Sequence, residues 1–171
     1  GECTACARDE AIRCVERREV GVIGHDGAYA EYVVTRARYV HPVPDAVSQA
    51  QAALAEPLAV VIKGLRRLGS QPAGDAPRHC AVIGAGTIGQ LAARVLALRG
   101  HTVTVFDLER TRLALLGDGI SGEQTLNDMD RFDWLVEATG DQRVLDSLLQ
   151  GVATGATLVL LGLPYSAQSM S

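Results

Sequence analysis

Two sets of residues in this sequence have the types and spacing that chemistry needs. The first is Gly84-Ala85-Gly86-Thr87-Ile88-Gly89, a G-x-G-x-x-G run. In such a run the first glycine permits a tight strand-to-helix turn and the second lets backbone approach a pyrophosphate. The third lets the helix lie close on its strand. A helix opening there offers unbonded N–H groups and the positive end of its dipole to phosphate. The second set is Cys3, Cys6 and Cys14, with two and then seven residues between them. Thiolates at these spacings in a short loop can converge on tetrahedral zinc, although three leave a structural site one ligand short. Incidental thiols on a loop are the alternative.

A lone G-x-G-x-x-G run says little, so its surroundings decide. It follows an apolar strand at residues 80–83, opens an Ala- and Leu-rich helix, and leads to a second strand ending before Asp107. Asp107 falls 18 residues beyond Gly89, near the roughly 20 expected for the acid that accepts the ribose hydroxyls. That carboxylate repels a 2′-phosphate, so NAD is expected in preference to NADP, with Arg110 and Arg112 close enough to soften the preference. A glycine turn in another doubly wound protein, such as a methyltransferase, is the competing reading. Cys80 starts an apolar strand and reads as a small buried hydrophobe.

The elements that must position these groups follow from periodicity. Residues 28–34 alternate around Tyr29 and Tyr32 after an Asp26-Gly27 turn, a strand signal, and Tyr39-Val40 is a second extended piece. From 48 to 68 apolar residues recur at spacings of three and four, predicting helix. Pro57 interrupts that pattern and predicts either a kink or a new helix with Pro57 in its first turn. Residues 69–77 are a turn-rich connector. Beyond it strands (80–83, 102–106, 134–137, 156–161) alternate with helices (88–98, 111–116, 144–149), which implies parallel βαβ units.

Composition agrees with a folded domain. The chain has 171 residues, 47% apolar and 21% charged, with a net charge of −4. These values argue against disorder and leave no basic footprint for nucleic acid. No apolar run is long enough for a membrane span and no secretory signal is visible, so the chain is expected to be cytoplasmic with reduced thiols.

Taken together, the motifs resemble those of the zinc-containing medium-chain dehydrogenase/reductase family, and in particular its polyol, sugar and threonine dehydrogenase branch. The matching residues are Cys3-x2-Cys6-x7-Cys14, Asp26-Gly27-Ala28-Tyr29-Ala30-Glu31-Tyr32-Val33, Pro44-Asp45, Ala55-Glu56-Pro57-Leu58-Ala59-Val60, the glycine run, Asp107, Glu137-Ala138-Thr139-Gly140 and the strand ending at Gly162. The resemblance implies an α/β fold: a Rossmann doubly wound parallel sheet, preceded by a partial GroES-like all-β catalytic segment. Residues 1–45 would be that partial segment with its structural-zinc loop. Residues 46–77 would be linking helices and connector, and 78–171 an NAD-binding Rossmann domain incomplete at its C-terminus.

The family's zinc loop has the form C-x2-C-x2-C-x7-C. On that form Cys3, Cys6 and Cys14 resemble the second, third and fourth ligands, and the first would fall immediately before Gly1. The family often carries a glycine between its last two cysteines, and residues 7–13 hold none. Glu56 of the Glu-Pro-Leu motif would lie at the catalytic zinc, as a ligand or as a partner of its water. The remaining catalytic ligands of the family, a cysteine and a histidine-glutamate pair, have no counterpart here. His25, His41, His79 and His101 do not match ligand positions.

Cofactor contacts carry over by position to Gly84, Gly86, Thr87, Ile88 and Gly89 at the pyrophosphate turn, and to Asp107 with Arg112 at the adenosine ribose. Leu108 would lie beside the adenine, Thr139 at a strand end facing the cofactor, and Gly162 and Leu163 where backbone meets the nicotinamide carboxamide. For the apolar positions ordinary packing at strand ends is the alternative. The implied activity is oxidation of a secondary alcohol of a polyol, sugar or amino-alcohol to a ketone. Hydride would pass to NAD, with zinc as Lewis acid. The substrate is a small molecule, and no nucleic-acid or membrane partner is expected. The parent is expected to be a homo-dimer or homo-tetramer, and this truncated chain to be inactive alone. A non-catalytic dinucleotide-binding module and a zinc-independent reductase are the other readings.

Overall fold

The structure, a computed structural model, describes residues 2–68 and 76–163; most of the connector expected at 69–77 lies outside them. The chain divides into two compact units, residues 1–46 and 47–171.

Among the described residues of the larger unit, five short strands form one parallel sheet: β1 (His79–Ile83), β2 (Thr102–Phe106), β3 (Ile120–Glu123), β4 (Trp134–Glu137) and β5 (Thr157–Leu160). Their order across the sheet is β3-β2-β1-β4-β5. Such an order reverses direction between β1 and β4, and at that switch point the crevice beyond the carboxyl ends of the strands is left open for a ligand. The expected doubly wound sheet is therefore present, and four of its five strands coincide with the segments predicted from the sequence. β3 was not predicted. Its sequence, Ile-Ser-Gly-Glu, has one apolar residue, and it pairs only with β2 at the sheet edge.

Buried parallel strands are apolar on both faces, and the alternation of side chains assigns each residue to one layer. Cys80, Val82, Val103, Val105, Val136 and Val159 pack with Ala92, Ala93 and Leu96 of α4 (Thr87–Leu98) and with Val61 and Leu65 of α3 (Ala55–Leu65). On the opposite face Ala81, Ile83, Phe106 and Leu135 pack with Leu148 of α6 (Gln142–Gly151) and with Met129 and Phe132. The helical stretch expected over 48–68 is two helices. Gln49–Ala52 (α2) opens with a capping box, in which Ser48 and Gln51 bond reciprocally. α3 then starts at Ala55, with Pro57 in its first turn, where the missing N–H costs nothing. Gly64 brings this helix against β5: a methyl there would meet the side chains of Leu161 and Val159. The short helix expected near 111–116 forms as α5 (Arg110–Leu113).

The smaller unit holds α1 (Thr4–Ala7), 3-10 turns at Ala11–Arg13 and Ala37–Tyr39, and one isolated antiparallel bridge between Glu19 and Ile23. This differs from the strands expected at 28–34 and at Tyr39-Val40. No ladder forms there among the described residues, and Tyr29, Tyr32 and Val34 stay exposed. A strand needs a neighbour to bond its N–H and C=O groups and to cover one face. Residues 28–34 have neither. No helix among the described residues is long and apolar enough to cross a membrane.

Candidate functional site

The glycine run occupies the turn from β1 to α4, and each glycine meets a different constraint. Gly84 has φ of +99°, a conformation that side chains disfavour, and its N–H donates to the Phe106 carbonyl at 2.7 Å. A methyl at Gly89 would drive into the Gly84 carbonyl, so that glycine is what lets α4 lie on the strand. Gly86 is the opposite case. It is the N-cap of α4 with ordinary extended backbone, and a methyl there meets nothing within 4 Å. Packing within the chain does not require glycine at position 86. No side chain caps α4, so its first N–H groups keep their capacity for an anion.

Asp107, just past β2, faces this turn. One carboxylate oxygen accepts from the Ala85 N–H at 2.7 Å and the other from the Glu109 N–H at 2.8 Å. The Arg112 guanidinium lies 3.6 Å away, and the Asp107 side chain is only 6% exposed. A carboxylate has about four lone-pair sites, so two backbone bonds leave acceptor capacity for hydroxyl groups. A cavity of about 350 Å³ opens beside it, lined by Gly84, Asp107, Leu108, Arg112 and Thr139, among others. A second cavity of about 350 Å³ lies on the α4 side of the turn, against Gly86, Thr87, Gln90 and Arg112. Together they flank the glycine turn, with Arg112 on both walls.

Most of the cofactor residues expected from the sequence thus meet at one place. Gly84, Asp107, Leu108, Arg112 and Thr139 share the first cavity, and Gly86 and Thr87 line the second. Ile88 packs partly buried against the core, under the turn. Gly162 and Leu163 follow β5 and sit against Gly140: a methyl on Gly162 would overlap the Gly140 backbone. Glu56 is in neither cavity. It lies exposed in the first turn of α3, with no second ligand type grouped beside it among the described residues.

Sequence reasoning quoted Glu137 within a motif but gave it no role. It ends β4, is 3% exposed, and accepts on one oxygen from the Thr139 N–H at 2.6 Å, from the Thr139 hydroxyl, and from the Gly140 N–H at 3.0 Å. An acid closing an apolar strand and followed at once by Thr-Gly was the available signal.

In the smaller unit the sulfurs of Cys3, Cys6 and Cys14 all lie within 4.8 Å of one another, and those of Cys3 and Cys6 are 3.6 Å apart. The backbone N–H of Cys6, with the Cys6 and Cys14 thiols, draws the Cys3 thiol down to about 7. Cys14 is pushed up: the Glu16 N–H pulls it down, but the neighbouring thiols and burial outweigh that bond. Three sulfurs at this separation fit tetrahedral zinc at its usual Zn–S distance of about 2.3 Å. Cys80 stands apart in β1, where burial pushes its thiol up to about 12.

Comparison with known proteins agrees with both halves of this description. The profile of the alcohol dehydrogenase GroES-like domain matches residues 1–45. The profile of the NAD-binding domain of 3-hydroxyacyl-CoA dehydrogenase matches residues 79–129. D-altritol 5-dehydrogenase of Agrobacterium fabrum is 36% identical over 169 residues, covering 95% of this chain and 50% of that protein. Sorbitol dehydrogenase of Bacillus subtilis is 30% identical over 178 residues, covering 96% and 49%. The chain belongs to the zinc-containing medium-chain dehydrogenase/reductase family. It spans about half the length of the curated relatives it matches.

Solved structures share the fold. The alcohol dehydrogenase of Thermus sp. ATN1 superposes with a TM-score of 0.78 at 25% identity, covering 98% of this chain and 54% of that one. A Sinorhizobium meliloti protein assigned as a zinc-binding dehydrogenase, solved with NADP bound, gives 0.83 at 22% identity, covering 100% and 53%. The profile matched at residues 79–129 is that of an NAD-binding domain, and the Sinorhizobium meliloti structure is that of a zinc-binding dehydrogenase with NADP, so a nicotinamide cofactor and zinc are supported at the level of the family.

Proposed function

We propose that this chain supplies the cofactor-holding half of an NAD-dependent zinc dehydrogenase that oxidises a secondary alcohol of a polyol or sugar to a ketone. The observation that carries the cofactor half is the pairing of Asp107, nearly buried and facing the turn, with the open space at Gly86. The polyol and sugar class rests on the relatives, which include D-altritol, sorbitol and glucose dehydrogenases. An amino-alcohol substrate remains within the same chemistry.

In this reading Gly84, Gly86, Thr87, Ile88 and Gly89 seat the pyrophosphate at the start of α4, where the helix dipole and free N–H groups favour it. Asp107 accepts the adenosine ribose hydroxyls, Arg112 flanks them, and Leu108 covers the adenine. Thr139, Gly162 and Leu163 border the nicotinamide. NAD is preferred over NADP because Asp107 repels a 2′-phosphate.

Zinc, when bound, supplies a Lewis acid at the reacting alcohol and a cross-link in the cysteine loop. Cys3, Cys6 and Cys14 hold the structural ion. We assign Glu56 to the catalytic one as a ligand or a partner of its water; its motif, rather than its geometry, supports that role. Thiolate ligands suit a reducing, cytoplasmic setting. The working enzyme is a homo-dimer or homo-tetramer acting on a small molecule.

Calorimetric titration of the chain with NAD and NADP tests the reading. Saturable NAD binding, with NADP at least about tenfold weaker, is expected. Equal affinities would remove the Asp107 argument, and no binding of either nucleotide to a folded sample would remove the cofactor reading itself.

A further inference from the structure

Glu137 is the only carboxylate among the buried polar residues described; the others are His101 and Thr104. Burying a charged group is costly unless it is fully bonded, so its surroundings should account for it. Three donors, all on the turn after β4, account for one of its oxygens. The Thr139 N–H, the Thr139 hydroxyl and the Gly140 N–H donate to one carboxylate oxygen. The other oxygen occupies the space that a side chain at Gly162 would need. The backbone carbonyl of Glu137 accepts from the N–H groups of Leu161 and Gly162 at 2.8 and 3.0 Å. One residue therefore fixes the turn after β4 and the exit of β5.

That turn touches the fingerprint. A methyl on Gly84 would stand 3.0 Å from the Thr139 methyl and 3.2 Å from the Ala138 carbonyl, so these groups form the wall behind the first glycine. The Thr139 hydroxyl passes the order on by accepting from the Asp141 N–H at 3.0 Å. Asp141 in turn caps α6.

We propose that Glu137 is a positioning residue for the nicotinamide half of the cofactor, acting through Thr139, Gly140 and Gly162 and not by touching the ligand. The proposal rests on the cofactor reading above. Its half-selectivity follows from topology. β1, β2 and β3 with Asp107 make one mononucleotide-binding half; β4 and β5 make the other, across the switch point. Glu137 stands at the end of the second; its side-chain bonds stay within that half, and its turn meets the first through the Thr139 methyl at Gly84.

The test is to measure NAD and AMP affinities by calorimetry for the wild-type chain, Glu137→Gln and Thr139→Val. Glu137→Gln keeps an oxygen for the three donors but loses the charge that strengthens them. Its NAD affinity is expected to fall about tenfold while AMP affinity stays within about twofold. Thr139→Val keeps the methyl against Gly84 and removes the hydroxyl bonded to Glu137, so it is expected to show the same selective loss. It carries the test if circular dichroism shows Glu137→Gln unfolded. An unchanged ratio of NAD to AMP affinity in the folded variants, or equal losses of both, overturns the positioning role. A wild-type chain that binds AMP and NAD normally beside such variants leaves the cofactor reading standing. A wild-type chain that binds neither overturns both.

Discussion

Gly86→Ala separates what the fold needs from what a ligand needs. The backbone at Gly86 has φ of −70° and ψ of −174°, which any residue adopts, and an added methyl meets nothing within 4 Å. Removing a glycine from such a site stiffens the unfolded chain and stabilises by about 0.4–1 kcal/mol. Against this, alanine is a poorer N-cap than glycine, at a cost of about 0.5–1 kcal/mol. The two nearly cancel, so the variant is expected to melt within about 2 °C of wild type, since 1 kcal/mol moves a domain of this size by roughly 2–4 °C.

Binding has no such compensation. The methyl would stand where the proposed pyrophosphate approaches α4, displacing it from one charge-assisted bond worth about 1.5–3 kcal/mol. NAD affinity should fall about tenfold to a hundredfold. Gly89→Ala is the control with the opposite signature. Its methyl collides with the Gly84 carbonyl, so it should destabilise by about 1–3 kcal/mol or more. Thermal melts beside calorimetric titrations read both variants. A Gly86→Ala chain that binds NAD as wild type does would refute a pyrophosphate seated on that glycine. One that loses stability as Gly89→Ala does would refute the open space.

Two further outcomes follow from titratable groups. Burial pushes His101 below the usual imidazole range, with Arg99 and Arg78 adding to it, and its Nδ1 accepts from the Arg78 N–H at 3.3 Å. The fold thus favours neutral imidazole. That contribution is present above the ordinary histidine value of about 6.5 and is lost as pH falls through the lower folded value. Melting temperature should therefore decline below about pH 6.5, less so in His101→Asn, and parallel pH profiles would remove His101 as the cause. For the cysteines, mass spectrometry after iodoacetamide treatment at pH 8 in a chelator should find Cys3 labelled well before Cys80, whose thiols sit near about 7 and about 12. Added zinc should protect Cys3, Cys6 and Cys14 together; equal labelling with and without zinc would count against the metal site.

Much of the larger unit was legible because burial on both faces of a parallel strand leaves an unbroken apolar run, as at residues 80–83, and because a glycine run marks its own turn. β3 was not legible. An edge strand that pairs on one side needs little apolar content, and Ile-Ser-Gly-Glu is made by the ladder to β2 rather than by its own residues. Residues 28–34 fail in the opposite direction: alternation records which face a strand would bury, but a strand exists only with a partner. The site divides the same way. Residue types located the glycine turn and Asp107, whereas the anchoring roles of Glu137 and Asp107 depend on which backbone N–H groups the fold brings to them.

Asp107 shows why that distinction bears on cofactor choice. Were it a solvated carboxylate at a strand end, it could swing away from a 2′-phosphate, and Arg112 could take its place. Its oxygens are instead tied to the N–H groups of Ala85 and Glu109, one on the glycine turn and one on the approach to α5. Moving it would release both turns that shape the first cavity. Arg112, 3.6 Å away and with a side chain 56% exposed, neutralises the carboxylate only partly, because solvent screens such a pair. On the proposed NAD reading, exclusion of a 2′-phosphate would thus be coupled to the integrity of the glycine turn. A single substitution at Asp107 should therefore weaken NAD before it admits NADP, and a gain of NADP binding requires a replacement that still accepts from the Ala85 N–H, such as Asp107→Ser. Calorimetry on Asp107→Ala and Asp107→Ser distinguishes the cases: NADP bound as tightly by the alanine variant as by the serine variant would show that the carboxylate excludes by charge alone.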